Sequence, residues 1–386
     1  MTAEYDFTVI GGGIHGVGVA QAAAAAGYKV VLLEQSSLAA GTSSKSSKLI
    51  HGGLRYLESF EFKLVRESLS ERTTLLRIAP NLVHYIPFYI PIYKETKRRP
   101  WQVRAGLTLY SLLAGFQPDS RFSVLPKSRW KDLDGLRTDG LQQVFQYNDA
   151  QTDDALLTQA VMKSAMDLGA QFCCPAEFRQ ATRIDSGYRV NYFQSGKERE
   201  HTTNILVNAA GPWVNDTRSR VLPEPPGIEV DLVQGTHIEL PGQVARGIYY
   251  TEAPSDQRAV FTMPWKGHTL VGTTEHFHEG DPASSAPTAE EVEYLRETYL
   301  AHFPQADATV LHSWAGLRVL PRARGSAFKR TRETIYRRDN PKDPHYIAIY
   351  GGKLTGYRAA AEKVMERVKA SLPARESKAD TRTLEL

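Results

Sequence analysis

Gly11, Gly13 and Gly16 stand in the spacing G-x-G-x-x-G directly after a short apolar run at residues 7–10. A run of helix formers at 20–26 follows, then a second apolar run at 29–33, and Glu34 closes the unit 18 residues beyond Gly16. The order predicts strand, tight turn, helix and parallel strand. Each glycine then has a task. Gly11 permits the turn, Gly13 lets the backbone approach a pyrophosphate, and Gly16 lets helix and sheet pack closely. The helix N-terminus offers unpaired N–H groups and a positive dipole end to an anion. Glu34 can accept hydrogen bonds from both ribose hydroxyls. The unit predicts an α/β fold built on a Rossmann-like dinucleotide domain. It does not by itself separate NAD from FAD.

The same stretch has a rival reading. Residues 7–28 carry no charge and number 22, enough for a membrane span or a secretion signal. Glu4 and Asp6 are acidic where a signal needs positive charge, and five glycines within 11–18 would weaken a lipid-exposed helix. The soluble unit explains the stretch better. A chain of 386 residues has room for two domains and a sizeable core, and 41% hydrophobic with 23% charged residues excludes global disorder. The net charge of +4 is too small to argue for nucleic acid. Cys173 and Cys174 are neighbours and form neither a disulfide framework nor a zinc site, so a reducing compartment and no metal are expected.

Beyond Glu34 the chain turns polar and glycine-rich, from Gly41 through Thr42, Ser43, Ser44, Ser47 and Lys48 to Leu49, His51, Gly52, Gly53, Arg55 and Tyr56. Two readings stand on local grounds: a flexible polar loop, or a loop whose hydroxyls and amides wrap a cofactor. Residues 205–208 form an apolar strand ending at Ala209, Ala210 and Gly211, either an ordinary strand end or a close approach to a dinucleotide. Residues 346–350 form another strand, broken by Gly351 and Gly352 before a helical pattern over 353–369. Asp153 and Asp154 precede a further helical pattern at 155–166 and read as N-cap candidates.

The run SSKLIHGGLRYLE at 46–58 resembles the FAD-dependent glycerol-3-phosphate dehydrogenases of the glycine oxidase and D-amino-acid oxidase superfamily. Further stretches match in order: YNDAQTDDAL at 147–156, VNAAGPWV at 207–214, GTTEHFHEGDP at 272–282, SWAGLRVL at 313–320 and YGGKLTGYR at 350–358. The resemblance implies non-covalent FAD. It assigns the cofactor to Gly11, Gly13, Ile14, His15, Gly16 and Glu34, then to Thr42, Ser43, Ser44, Ser47, Lys48, Leu49, His51, Gly52 and Gly53. It adds Ala210, Gly211, Trp213, Gly316, Arg318, Gly352, Lys353, Leu354 and Thr355. It implies oxidation of the C2 alcohol of sn-glycerol 3-phosphate to dihydroxyacetone phosphate, with hydride passing to flavin N5 and electrons going on to a quinone or another acceptor. Arg55, Tyr56 and Arg332 are the implied substrate residues, and Arg318 and Lys353 the implied catalytic cations. His237 is the first candidate base and His51 the second, because an imidazole has a suitable pKa. A histidine hydrogen-bonded within a strand is the plain alternative for His237. A flavin enzyme for another 2-hydroxy acid or amine is the rival function.

Positive charge is concentrated. Between Arg318 and Arg338 lie seven arginines and Lys329 against the single acid Glu333, which suits a small anionic substrate. A second basic cluster, Lys94, Lys97, Arg98, Arg99 and Arg104, surrounds Trp101 and adjoins apolar residues up to Leu113. It reads either as a peripheral membrane contact or as a helix packed on its own domain. The expected location is cytoplasmic, with the inner face of the cytoplasmic membrane as the second option. Because the cofactor segments lie near the start, middle and end, the FAD domain should be discontinuous, using 1–80, 148–228 and 312–370. Residues 81–147 and 229–311 should form an antiparallel substrate domain, with a hairpin turn at Lys266 to His268. Residues 371–386 read as a flexible tail. Three positions depart from the family pattern near the expected substrate site: Asp231, Gln234 and Val319.

Overall fold

Strand Tyr5–Ile10 is buried along its whole length, as a central parallel strand covered on both faces must be. It pairs in parallel with Val30–Leu33 on one side and with the end of Lys197–Asn208 on the other. Gln171–Cys173 extends this sheet beyond Val30–Leu33, and Tyr346–Tyr350 lies parallel to Leu206, Val207 and Asn208. Helix Ile14–Ala25 is alanine-rich and buried nearly all round, because helices Asp154–Asp167 and Tyr357–Val368 pack against it. The computed structural model describes residues 3–116, 118–322 and 333–386. The expected α/β architecture, a Rossmann-like sheet interleaved with a second sheet, is present among them.

The second sheet is antiparallel except where Ile248 and Tyr249 run parallel to Phe88 and Tyr89. Its long members are Val83–Tyr93, Leu141–Thr152, Val230–Leu240 and His312–Pro321. The hairpin turn falls where expected. Lys266 and Gly267 have φ of 48° and 86°, the paired positive values of a type I′ turn, and join Ala259–Trp265 to His268–Gly272.

The strand assignments correct the expected division of the chain. His312–Pro321, expected with the cofactor sheet, pairs along its whole length with Val230–Leu240. Leu141–Thr152 continues unbroken past residue 147, and Leu49–Ile50 pairs with it, so the glycine-rich loop itself ends in the second sheet. The expected helix at 20–26 begins at Ile14, directly after the last motif turn. The helical pattern at 353–369 opens with a 3-10 turn, Leu354–Gly356, before Tyr357–Val368.

The tail is also corrected. Lys378 N–H donates to Ala25 O at 2.7 Å, the Lys378 ammonium to Leu168 O at 2.7 Å, and Leu386 N–H to Ile78 O at 2.7 Å. Helix C-termini leave carbonyls without intrahelical partners, and these docked residues satisfy three such ends. Composition could not reveal that use of a polar segment.

Candidate active site

Gly11 ends the first strand at φ +108°, and a side-chain carbon there would lie 2.6 Å from Ala209 O. At Gly16 it would lie 1.9 Å from Gly11 O, so neither position tolerates a side chain. Gly12 N–H donates to Glu34 Oε2 at 2.7 Å, and Ser36 N–H to Glu34 Oε1 at 2.8 Å. Ser43 Oγ accepts from Ile14 N–H at 2.9 Å. The first turn of helix Ile14–Ala25 has no acidic residue, which leaves its positive dipole end for an external anion.

These groups open onto a cavity of about 1090 Å³, at the upper end of ligand-cleft sizes and suited to a large cofactor. Gly11, Gly13, Ile14, His15, Glu34, Thr42, Ser43, Ser47, Leu49, His51 and Tyr56 line it from the N-terminal segments. Ala210, Gly211, Trp213, His237, Gly316, Arg318, Gly352, Lys353, Leu354 and Thr355 line it from the later ones. The loop is held from both sides. Thr42 Oγ1 donates to Leu317 O at 2.7 Å, and His51 N–H donates to Thr355 Oγ1 at 3.1 Å.

Six of the expected residues lie off the cavity wall. Gly16 serves helix packing behind it, and Ser44 Oγ turns back to Gly41 O at 3.4 Å. Lys48 turns inward, where its ammonium meets Asp154 Oδ1 at 2.7 Å. Gly52 lies beneath Tyr110, whose hydroxyl accepts its N–H at 2.8 Å. Gly53 has φ +78° and backs onto the Tyr56 ring. Arg55 stacks its guanidinium 5.1 Å from that ring's centre. Arg332 falls outside the described residues.

The cavity also has walls that sequence reasoning missed. Ala176, Glu177, Phe178, Thr217 and Arg220 line it near Glu34, and Asp281, Pro282 and Ala283 line it elsewhere. Asp281 and Pro282 close the GTTEHFHEGDP stretch, but no motif marks the others. Only the fold reveals them, through Ala176 N–H bonded to Glu34 O at 2.7 Å and Arg220 bonded to Phe178 O at 3.2 Å.

Arg318 projects from strand His312–Pro321 across Gly235, where a side-chain carbon would fall 2.5 Å from its Nη2. Its guanidinium donates to Thr273 Oγ1 at 3.0 Å and to Glu275 Oε1 at 3.3 Å. Arg258 shares Glu275 at 3.3 Å. Lys353 holds its ammonium 3.9 Å from the Tyr56 ring centre. His237 stacks on Trp314 at 5.9 Å and 15°, and its Nε2 is 2.9 Å from Ser47 Oγ. Burial first, then the cations Lys48 and Arg318, lowers its pKa to about 3. Burial, then Lys353, Arg55 and Arg72, lowers that of His51 to about 3. Both imidazoles are therefore uncharged at neutral pH, but pKa values this far below neutrality make each a weaker proton acceptor than the free imidazole expected from the sequence. Of the three departures, Val319 lines the cavity. Asp231 pairs with Arg322 at 3.1 Å, and Gln234 donates to Glu291 Oε2 at 2.6 Å. The latter two side chains lie off the cavity wall.

The family model described as DAO, FAD dependent oxidoreductase, matches residues 6–361. The chain belongs to the DAO family of FAD-dependent oxidoreductases. A glycerol-3-phosphate dehydrogenase of Pseudomonas aeruginosa is 39% identical over 378 residues, 94% of this chain and 71% of that protein. A D-erythritol 1-phosphate dehydrogenase of Brucella abortus is 38% identical over 379 residues, 95% of this chain and 74% of that protein. The solved glycerol-3-phosphate dehydrogenase of Bacillus halodurans, complexed with FAD, is 28% identical with a TM-score of 0.77. That alignment covers 99% of this chain and 67% of the other.

FAD suits the DAO-family cavity on its own geometry. The glycine cradle is too tight for side chains, the helix dipole is uncompensated, and His15 Nδ1 and His237 Nδ1 are buried without a partner among the described residues. Among the described residues no cluster of three or more His, Cys, Asp or Glu is placed for a metal, and no helix is long and apolar enough to cross a membrane.

Proposed function

We propose that the protein oxidises the secondary alcohol of a small polyol phosphate, with sn-glycerol 3-phosphate as the first choice and dihydroxyacetone phosphate as its product. One observation carries the reading. Two cations, Arg318 and Lys353, and two imidazoles, His51 and His237, line one cavity that also bears the dinucleotide cradle. FAD supplies the two-electron acceptor chemistry. Arg318 sits beside the reacting carbon, and Lys353 and, from the sequence, Arg332 bind the phosphate or polarise the alcohol, while Arg55, off the cavity wall, backs the Tyr56 ring. His237 takes the hydroxyl proton, its Nε2 held by Ser47, and His51 is its alternate. Such a division of work orients the reacting carbon before proton and hydride leave it.

A second reading has its own support. The Brucella relative, named for D-erythritol 1-phosphate, matches as much of this chain as the glycerol-3-phosphate dehydrogenases do. The test is anaerobic bleaching of the yellow holoprotein by glycerol 3-phosphate, D-erythritol 1-phosphate, glycerol, lactate and amino acids. Bleaching by a polyol phosphate supports the proposal. Bleaching only by an unphosphorylated compound overturns it in favour of the hydroxy-acid or amine reading.

We infer that the working location is the inner surface of the cytoplasmic membrane, where a quinone or another acceptor takes the electrons onward. Trp101 and Phe60 are 69% and 78% exposed beside the basic residues 94–104, and helix Pro100–Leu113 presents Leu112 to solvent. Cations at headgroups and an aromatic boundary residue suit such a surface. Co-sedimentation with phosphatidylglycerol vesicles, lost in Trp101→Glu, tests it; no binding by the parent chain sinks it.

A further inference from the structure

Lys48 was expected on the cofactor, and the structure turns it away. It holds a left-handed backbone at φ 59°, uncommon for a residue with a side chain, and is 4% exposed. Its ammonium donates to Asp154 Oδ1 at 2.7 Å and to Ser44 O at 2.6 Å, between the rings of Trp265 at 5.3 Å and Trp314 at 5.6 Å. Asp154 is wholly buried. Its Oδ2 accepts the Ser46 N–H at 2.9 Å and the Ser46 hydroxyl at 2.6 Å, and that hydroxyl accepts the Lys48 N–H at 3.1 Å. One carboxylate at the start of helix Asp154–Asp167 thus holds residues 46 and 48 of the loop directly and residue 44 through the Lys48 ammonium. Their neighbours Ser43, Lys45, Ser47 and Leu49 line the cavity.

The pair also stands behind the candidate base. Ser47, next to Lys48, bonds His237, and Trp314, one of the two rings facing Lys48, stacks on the same imidazole. A buried ion pair is costly unless its hydrogen bonds are completed, and here the loop backbone completes them. A pair serving the core alone would join two packed elements. This one joins a helix to the wall of the cofactor cavity.

We propose that Lys48 and Asp154 are positioning residues for FAD, their ion pair setting the backbone path of residues 43–49 and the Ser47–His237 contact. The proposal rests on the flavin site and not on the identity of the substrate, so it is tested without substrate. Holoprotein carrying Lys48→Met, Asp154→Asn or both is diluted, released FAD is read by flavin fluorescence, and visible circular dichroism reports how the bound ring is seated. Each single variant should weaken FAD binding by about tenfold to a hundredfold, and the double should lose no more than the worse single. The dichroism of the remaining bound flavin should change with it. Thermal stability lost with FAD affinity within about twofold of the parent overturns the proposal, as do fully additive losses. Should the charge variants fail to fold, Ser46→Ala leaves the ion pair intact and removes the two loop bonds of the Ser46 hydroxyl. A loss of about threefold or more in FAD affinity supports the proposal, and an unchanged affinity refutes it.

Discussion

Acidification should destabilise this protein in a window set by histidine and not by carboxylates. Burial lowers the pKa of His15 and His201 to about 4, and burial with nearby cations lowers those of His51 and His237 to about 3. In the unfolded chain each titrates near 6.5. The native form therefore stays neutral while the unfolded chain takes up protons, and stability falls as pH drops below about 6.5. Between pH 7.5 and 5.5 each histidine removes about 1.3 kcal/mol, or about 5 kcal/mol for the four acting independently. That is comparable to the whole stability of a marginal domain. Urea midpoints of the holoprotein at half-unit pH steps measure it, and His201→Asn, remote from the cavity beside Thr8, should flatten the slope by about a quarter. Carboxylates held low, such as Asp343 under its hydrogen bond from Ser371, act only as pH falls through the ordinary carboxylate range near 4. Midpoints flat from 7.5 to 5.5 with a drop only below 4.5 would refute the histidine account.

Two substitutions separate chemistry from scaffold. Arg318→Ala should lower kcat/KM for the polyol phosphate by about a hundredfold to a thousandfold while the purified protein stays yellow, because the glycine cradle and loop hold the cofactor without it; loss of flavin with unchanged turnover per flavin would reverse that division. Tyr110→Phe removes the hydroxyl that donates to Asp149 Oδ2 at 2.6 Å and accepts Gly52 N–H at 2.8 Å. It should cost about 1–3 kcal/mol in urea stability at unchanged m-value, and a neutral result would mean that water replaces the hydroxyl.

The cradle was legible because its chemistry is local. A tight turn, a helix start and a terminal carboxylate fall within residues 11–34, so spacing carries the information. Lys48 illustrates the opposite case. Its type and neighbours fit a cofactor ligand, yet its direction depends on Asp154, 106 positions away. The tail shows the same limit. Its polarity reads as disorder, while its hydrogen bonds go to helix ends that only the assembled fold brings within reach. Arg220 and Phe178 carry no signature at all, since they reach the cavity from a strand and helix appended to the side of the parallel sheet.

The assignment of His312–Pro321 to the second sheet changes how the site is held. A strand of the cofactor sheet would have carried Arg318 on the same rigid body as the glycine cradle. Instead Arg318 and His237 lie on paired strands, with His237 opposite Trp314 and Val233 opposite Arg318 in the register. The cofactor sheet supplies the cradle, the second sheet supplies the cation and the imidazole, and the loop at 42–51 ties them together. Thr42 bonds Leu317 O, Ser47 bonds His237, and His51 N–H bonds Thr355 beyond the last strand of the cofactor sheet. The alignment of candidate base and cation with the cofactor thus depends on one short loop, whose path is fixed from behind by Lys48 and Asp154.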